Sequence, residues 1–428
     1  MISAAITTTT EKRTPIALVA LLSFALLINY VDRGSIGIAA PLIQTEFNLS
    51  PSQMGWVLAA FFWAYAPMQP FMGWLADRIG AERVLVSGFC VWSIATVLTG
   101  LATGFVMLFA FRLLMGTGES VAYPSAAKLL ATHVEPRHRA RSMGTVVLGA
   151  IVGLTVGAFL GGWLLGHYGW RAMLITLGGA PLLWLIPWFG LWGRRTIAAP
   201  AVAQAGPTTI TVLRQRALWG GMLGSFCISY AFTFCLTWMP LYLVQERGMS
   251  LTTMTQVAGS TFIADGIGLL LSAWIVDKWI ARGGSANVAY KTVLSVSSAG
   301  VAASLFLCTV VGPTGAVVAL LATGVLDGLN SPLWGSLAQT FAGPHASGRW
   351  MGMQNSVANS AGMVAPVVTG YLVQQTGHYS LALLVSAFVG LIGLVAWLVV
   401  LPPVRPIDWY NAGAHGVQGE QQTGSGDS

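Results

Sequence analysis

Six ionisable side chains stand inside long apolar runs of this sequence: Asp32, Arg33, Arg112, Glu119, Asp265 and Asp327. A charge at bilayer depth costs at least a few kcal/mol, so each needs a wet cavity or a partner. Two chemistries are open to such groups. A guanidinium stays cationic when dehydrated, and its planar fork can hold both oxygens of a carboxylate at once. A carboxyl group can take up and release a proton, because dehydration favours its neutral form and a nearby guanidinium its charged form. Arg33 is therefore a candidate for binding an organic acid; the alternative is that it only neutralises an acidic neighbour.

Spacing adds detail. Arg112 and Glu119 are seven positions apart, two helical turns, so they share a face about 10 Å apart along the axis. Direct pairing at that distance needs bent side chains or water. Glu119 is thus expected to alternate between protonated and charged states, with a static hydrogen-bonded network as the alternative. Tyr30 precedes Arg33 by three positions and projects from the same side of a helix. Asp265 and Asp327 stay outside this core group; Asp265 is expected to find a partner elsewhere in the second half of the chain, with a place in the cavity or the binding of a coupling ion as the alternatives.

The elements that position these groups follow from composition. Hydrophobic residues make up 55% of the 428 residues and charged ones 8%, against about 25% charged in soluble domains. A membrane crossing takes about 20 apolar residues, and runs of that size fill the chain. They cover 16–42, 53–75, 84–102, 105–129, 142–165 and 172–192, then 218–244, 257–276, 292–311, 317–337, 351–373 and 381–401. In lipid every backbone amide needs an internal partner, so these runs must be helices. The first is too long for a signal-peptide core and contains Asp32 and Arg33, so it reads as a retained helix.

Charge is sided. Of the 21 Lys and Arg residues, only Arg171 and Arg247 fall on the face opposite the termini, while Arg33 and Arg112 lie within spans. This bias places both termini in the cytoplasm of a cell (inner) membrane protein. The net charge of +7 then reports topology and contact with anionic lipid, not nucleic-acid binding. Cys90, Cys227, Cys235 and Cys308 all lie in apolar runs without ligand-spaced partners, so they read as reduced thiols, with no metal site and no cofactor.

The chain repeats internally. Trp74-Leu75-Ala76-Asp77-Arg78 is similar to Trp274-Ile275-Val276-Asp277-Lys278, and Pro136, Met143-Gly144, Gly162 and Gly169 recur 208 positions later as Pro344, Met351-Gly352, Gly370 and Gly377. Related six-helix halves predict a two-bundle carrier with its site between the bundles. The expected organisation is a cytoplasmic segment 1–15, a bundle 16–192, a polar linker 193–217, a second bundle 218–402 and a tail 403–428. The fold class is all-α integral membrane, twelve transmembrane helices in two pseudo-symmetric bundles.

Gly73-Trp-Leu-Ala-Asp77-Arg78-Ile-Gly80-Ala-Glu-Arg83 resembles the signature loop between helices 2 and 3 of the major facilitator superfamily, and Arg112-Leu-Leu-Met-Gly116-Thr-Gly118-Glu119 its helix 4 motif. Asn29-Tyr30-Val31-Asp32-Arg33, Trp238-Met-Pro240-Leu-Tyr242-Leu, and Asn355 followed by Pro366 and Gly370-Tyr371-Leu372 resemble the anion:cation symporter family within it. The resemblance covers nearly the whole chain. It implies uptake of an organic acid with protons, with Arg33 at the substrate and Asp32 and Glu119 at the proton. It further implies substrate contacts at Tyr65, Ser331, Trp334 and Asn355, beside Tyr30 and Arg112. The loop residues Gly73, Asp77, Arg78, Gly80 and Arg83 would latch the halves in the outward-open state; the alternative is a plain topological charge cluster.

One stretch departs from the sugar-acid members of that family. Gly149, Gly153, Gly157 and Gly161 form a small-residue ridge suited to close helix contact, and Ala150 stands where those members carry an amide. An aromatic or sparsely hydroxylated acid gains weight as substrate. Gly116-Thr-Gly118 follows no strand, so it reads as helix packing and not as a nucleotide loop. The leading function is thus monomeric, proton-coupled uptake of a small organic carboxylate. An exporter of a metabolite or drug and sodium-coupled uptake are the alternatives. No catalytic constellation such as His-Glu-x-x-His supports an enzyme, and a non-transporting nutrient receptor would share the fold.

Overall fold

The computed structural model describes residues 16–192 and 207–409. The segment 1–15 with Lys12 and Arg13, the linker stretch 193–206 with Arg194 and Arg195, and the tail from residue 410 lie outside the described residues. So do the side chains of Pro136, Arg137, Ala140, Pro344 and His345.

Among the described residues there is no strand, and ten helices are long and apolar enough to cross a membrane. They are α1 (Ile16–Glu46), α3 (Ala81–Gly100), α4 (Phe105–His133), the 51-residue stretch Arg141–Leu191, α7 (Arg216–Thr237), α8 (Leu251–Ala281), α9 (Ala286–Val310), α10 (Pro313–Gly343), α11 (Ala346–Thr376) and α12 (Ser380–Val400). The 51-residue stretch breaks at Gly169, whose φ of 78° suits a residue without a Cβ, and so holds two crossings, α5 (141–168) and α6 (170–191). The helix Pro51–Ile79, α2, is 29 residues long, with Pro67, Gln69 and Pro70 diluting its apolar character. Counted this way, the helices are consistent with twelve crossings. The helix ends run past several expected boundaries. The first helix continues through Pro41 to Glu46, and after Thr237 the chain stays helical to Glu246.

Outward faces are apolar where lipid would lie, as at Ile186, Leu270, Val318 and Phe388, which suits a bilayer as solvent. Of the seventeen tryptophans, Trp92, Trp188, Trp238, Trp350 and Trp397 are wholly buried packing residues. The four cysteines are free thiols.

The repeat seen in the sequence is present in space. Arg78 lies over the ring of Trp74 at 4.7 Å and Lys278 over that of Trp274 at 4.2 Å. Gly169 and Gly377 both take positive φ, 78° and 73°. Gly162 on α5 abuts Thr255 on α8 of the other half, and its counterpart Gly370 on α11 abuts Pro51 and Gly55 on α2. The two halves thus present matching pairs of helices to each other, α5 with α8 and α11 with α2.

These crossings concentrate at the end away from the termini. There Gly37 meets the Leu236 backbone and Gly55 that of Pro366, while the Gln245 amide donates to the Gln44 amide oxygen (2.9 Å) and the Ser52 N–H to Gln374 (3.2 Å). Toward the other end, Asn355 Nδ2 donates to Gln69 Oε1 across the halves at 3.0 Å. The molecule is closed at the far end by backbone-to-backbone packing, and bridged nearer the termini by an amide pair.

Glycines also set the helices that carry the site. A Cβ at Gly149, Gly153 or Gly157 would strike α1 at Ser23, Leu27 or Val31 respectively, so the ridge on α5 exists to let α1 lie against it. Gly116 on α4 lies on the backbone of α2 at Phe61 and Tyr65, and Gly118 on that of α3 at Trp92. Close packing, as expected, explains the Gly-Thr-Gly segment.

Candidate substrate and proton site

α1, α2 and α4 meet within the first half, and their polar residues converge there. From α1 come Asn29, Tyr30, Asp32 and Arg33; from α2, Phe61 and Tyr65; from α4, Arg112, Glu119 and Tyr123. The helical ladder of α4 is interrupted at Ser120 and Val121, directly after Glu119.

Arg33 is the centre of the group. Its Nη2 donates to Glu119 Oε2 at 2.8 Å and its Nε to the same oxygen at 3.2 Å. A further bond runs from Nη2 to Asn29 Oδ1, one helical turn back, at 3.3 Å. Both bonds to Glu119 fall on one oxygen, so this is not the two-on-two fork that a guanidinium can form with a carboxylate. Oε1 of Glu119 is buried without a hydrogen-bond partner. The guanidinium is walled by three rings, Tyr30 at 4.5 Å, Tyr65 at 4.5 Å and Phe61 at 4.9 Å, which hold a cation through their π faces. Tyr30 and Tyr123 touch hydroxyl to hydroxyl at 3.1 Å.

Arg112 does not pair with Glu119. It is buried, with Nη1 on the Met115 sulfur at 3.1 Å and its guanidinium 5.0 Å from the Phe61 ring, so that ring is shared by two cations. Asp32 is wholly buried, and neither carboxyl oxygen has a hydrogen-bond partner. A carboxylate left so would be expensive. The group therefore holds two cations, one ion-paired acid and one acid without a partner.

The structure gathers the expected residues of the first half, Tyr30, Asp32, Arg33, Tyr65, Arg112 and Glu119. Those of the second half stand apart from them. Ser331 is exposed and Trp334 half-buried on α10, and among the described residues neither bonds to or stacks on the Arg33 group. Asn355 on α11 reaches the first half only at Gln69. The loop residues lie away from the site: Asp77 pairs with Lys128 within its own half, Gly80 takes a φ of 98°, and Arg78 and Arg83 are exposed. Among the described residues the loop makes no hydrogen bond or ion pair across the halves while the far end is closed.

Four contributors were not among the expected site residues. Tyr123 and Phe61 belong to the Arg33 group by ring and hydroxyl contacts and Asn29 by its bond to Arg33, while Gln69 meets Asn355 apart from that group. Helical spacing carried some of this signal: Asn29 and Arg33 are four apart, as are Glu119 and Tyr123, and Phe61, Tyr65 and Gln69 repeat every four along α2. Asp265 and Asp327 meet each other across a small cavity in the second half, with no Lys, Arg or His lining it; the partner expected for Asp265 is another acid.

Known proteins are similar along this whole architecture. The sequence profile of the Major Facilitator Superfamily matches residues 22–366 and, in a second match, 283–420. The chain belongs to the major facilitator superfamily. It is therefore a multi-pass membrane transporter and not an enzyme. It is similar to the "Probable sulfoacetate transporter SauU" of Cupriavidus necator, 31% identical over 395 residues that cover 88% of this chain and 91% of that one. It is also similar to the hexuronate transporter of Bacillus subtilis, 30% identical over 393 residues (89% and 92%), and to the D-galactonate transporter of Escherichia coli, 28% identical over 407 residues (89% and 94%). Among solved structures it superposes on a bacterial homologue of the human lysosomal transporter Spinster with a TM-score of 0.71 at 19% identity, covering 96% of this chain and 98% of that one. That likeness bears on the fold alone.

Proposed function

We propose that this transporter imports a small organic carboxylate together with protons, by alternating access, and that substrate and proton meet at Arg33. The observation that carries the reading is the Arg33–Glu119 pair. One guanidinium serves the glutamate through a single oxygen, at 2.8 and 3.2 Å. An arriving carboxylate needs the same donors, and protonation of Glu119 weakens its hold on them. Protonation thus frees Arg33 for substrate, and substrate on Arg33 favours a protonated Glu119. Each ligand shifts the equilibrium through its differential affinity for the two states. Asp32, buried and without a partner, is a further proton carrier on the same helix.

The relatives named as a probable sulfoacetate transporter, a hexuronate transporter and a D-galactonate transporter support an acid as substrate. The rings of Tyr30, Phe61 and Tyr65 around the guanidinium, and a ridge on α5 spent on packing, favour an aromatic or sparsely hydroxylated body. In the complete site, Ser331, Trp334 and Asn355 close on the substrate from the second half as α10 and α11 move. Gly73, Asp77, Arg78, Gly80 and Arg83 latch the halves when the far end opens, with Asp77 leaving Lys128 for the other half. The charge bias supports cytoplasmic termini in a cell (inner) membrane, and the residues of the site all come from one chain.

The test is uptake by the purified chain in proteoliposomes, offering labelled galactonate, glucuronate, sulfoacetate and benzoate with and without an inward proton gradient. Accumulation of at least one acid above equilibrium, only with the gradient, is expected. Accumulation driven by sodium, or transport of none of the four classes, would contradict the reading.

A further inference from the structure

The Arg33 group leaves one buried pair of acids unexplained. Asp265 on α8 and Asp327 on α10 line a cavity of about 10 Å³, room for about one water molecule, together with Cys235, Thr261, Thr323 and apolar neighbours. Asp265 is more than nine-tenths buried, and its Oδ1 has no hydrogen-bond partner; neither has Oδ1 of Asp327. The packing that brings the two acids together is close. Gly324 lies on the Thr261 carbonyl, Gly328 on that of Asp265 and Gly268 on that of Val325, so any side chain at these glycines would force α8 and α10 apart.

The chemistry of the lining decides what can occupy it. The Thr261 hydroxyl donates to the Val257 carbonyl and the Thr323 hydroxyl to the Ala319 carbonyl, both at 2.9 Å, so toward the cavity these oxygens can only accept. The Cys235 thiol is a weak donor. Among the described residues Cys308 is a further titratable group near Cys235; across the boundary between the halves, α5 contributes Ile151, next to Gly266. Every oxygen facing the cavity is an acceptor, and two of the groups are acids. Two carboxylates sharing a site cannot both stay ionised without a cation. Among the described residues no group of three or more His, Cys, Asp or Glu side chains is placed to hold a metal ion.

We propose that Asp265 and Asp327 form a second proton-binding site, a carboxyl pair holding at least one proton between them. Asp327 keeps partial exposure, which gives the proton a path, and Gly266 beside Asp265 packs on Ile151 of the opposite half, so the pair borders the surface that moves in the transport cycle. The site is independent of Arg33 and goes beyond the coupling argued above.

Infrared spectroscopy of the full chain in nanodiscs, in sodium-free potassium buffer at pH 7, reads protonated carboxyls through their C=O band. In an Asp32→Asn/Glu119→Gln background, which removes the acids of the first half, the band should persist. Adding Asp265→Asn or Asp327→Asn should abolish it, because the amide then donates to the remaining carboxylate. The unmodified chain minus Asp265→Asn/Asp327→Asn should show the same band, so either comparison decides if one variant does not fold. Absence of the band from the background, or its loss with a raised melting temperature when sodium replaces potassium, overturns the proposal; the second outcome marks a sodium site. Failure of proton-driven uptake with the band intact would count against the Arg33–Glu119 reading and leave this one standing.

Discussion

The two halves share a fold and a repeat yet handle buried charge in opposite ways. In the first half, acids face guanidiniums: Glu119 is ion-paired to Arg33, and Arg112 and a ring of aromatics stand nearby. In the second, Asp265 and Asp327 face each other beside hydroxyls that can only accept, with no guanidinium or ammonium lining the cavity. A paired site can exchange one anion for another on the same cation. An acid-only site can balance its charge only by taking up positive charge. The first arrangement suits an anionic substrate, the second suits protons alone.

The comparison predicts unequal responses to removing an acid. Glu119→Ala strands a buried guanidinium and should lower stability by about 3–5 kcal/mol, whereas Asp327→Asn puts a neutral amide donor in place of the shared proton and should leave thermal unfolding of the purified protein unchanged or slightly raised. Equal destabilisation by the two would erase the distinction. Next in size, Arg33→Lys keeps the charge but loses the fork. Acid binding in a thermal-shift or calorimetric assay should weaken roughly tenfold to hundredfold, the worth of a charge-assisted hydrogen bond. Near-normal affinity would remove Arg33 from the carboxylate site. The smallest effect is expected at Asp77, whose partner Lys128 lies on the surface. Asp77→Asn should change stability by under about 1 kcal/mol and leave acid binding measurable while slowing exchange; lost binding in a folded variant would refute the latch.

Much of this was legible in the sequence, for physical reasons that also mark where legibility stopped. Lipid leaves a spanning chain no option but helix, so apolar runs reveal the crossings and the gaps that hold Gly169 and Gly343, although α1 runs on past the expected end at Leu42 to Glu46 and the break points themselves are matters of backbone angle. The repeat was readable because Trp74 and Trp274 with their cations, and Gly169 and Gly377, keep type and register. The pairing of Tyr30 with Arg33 followed from helical spacing, and the grouping of Arg33 with Glu119 from the family resemblance. The partner of Glu119 did not. Arg112 shares its helix, but the bond goes to Arg33, 86 residues away, and only the seating of α1 on the α5 ridge and of α4 on α2 brings it near. Tyr123, Gln69 and the meeting of Asp265 with Asp327 depend equally on how helices are placed against one another.

The central claim is that Glu119 and the substrate carboxylate compete for one guanidinium. Its most direct test is the affinity of an acid, itself ionised throughout, between about pH 5.5 and 8.5, measured in the unmodified chain and in Glu119→Gln. Charged Glu119 holds Arg33 and neutral Glu119 releases it, so the unmodified chain should bind more weakly as pH rises. Glu119→Gln should keep the tight, low-pH affinity across the range. A Glu119→Gln profile as steep as that of the unmodified chain, or unmodified affinity that rises with pH, would contradict the account.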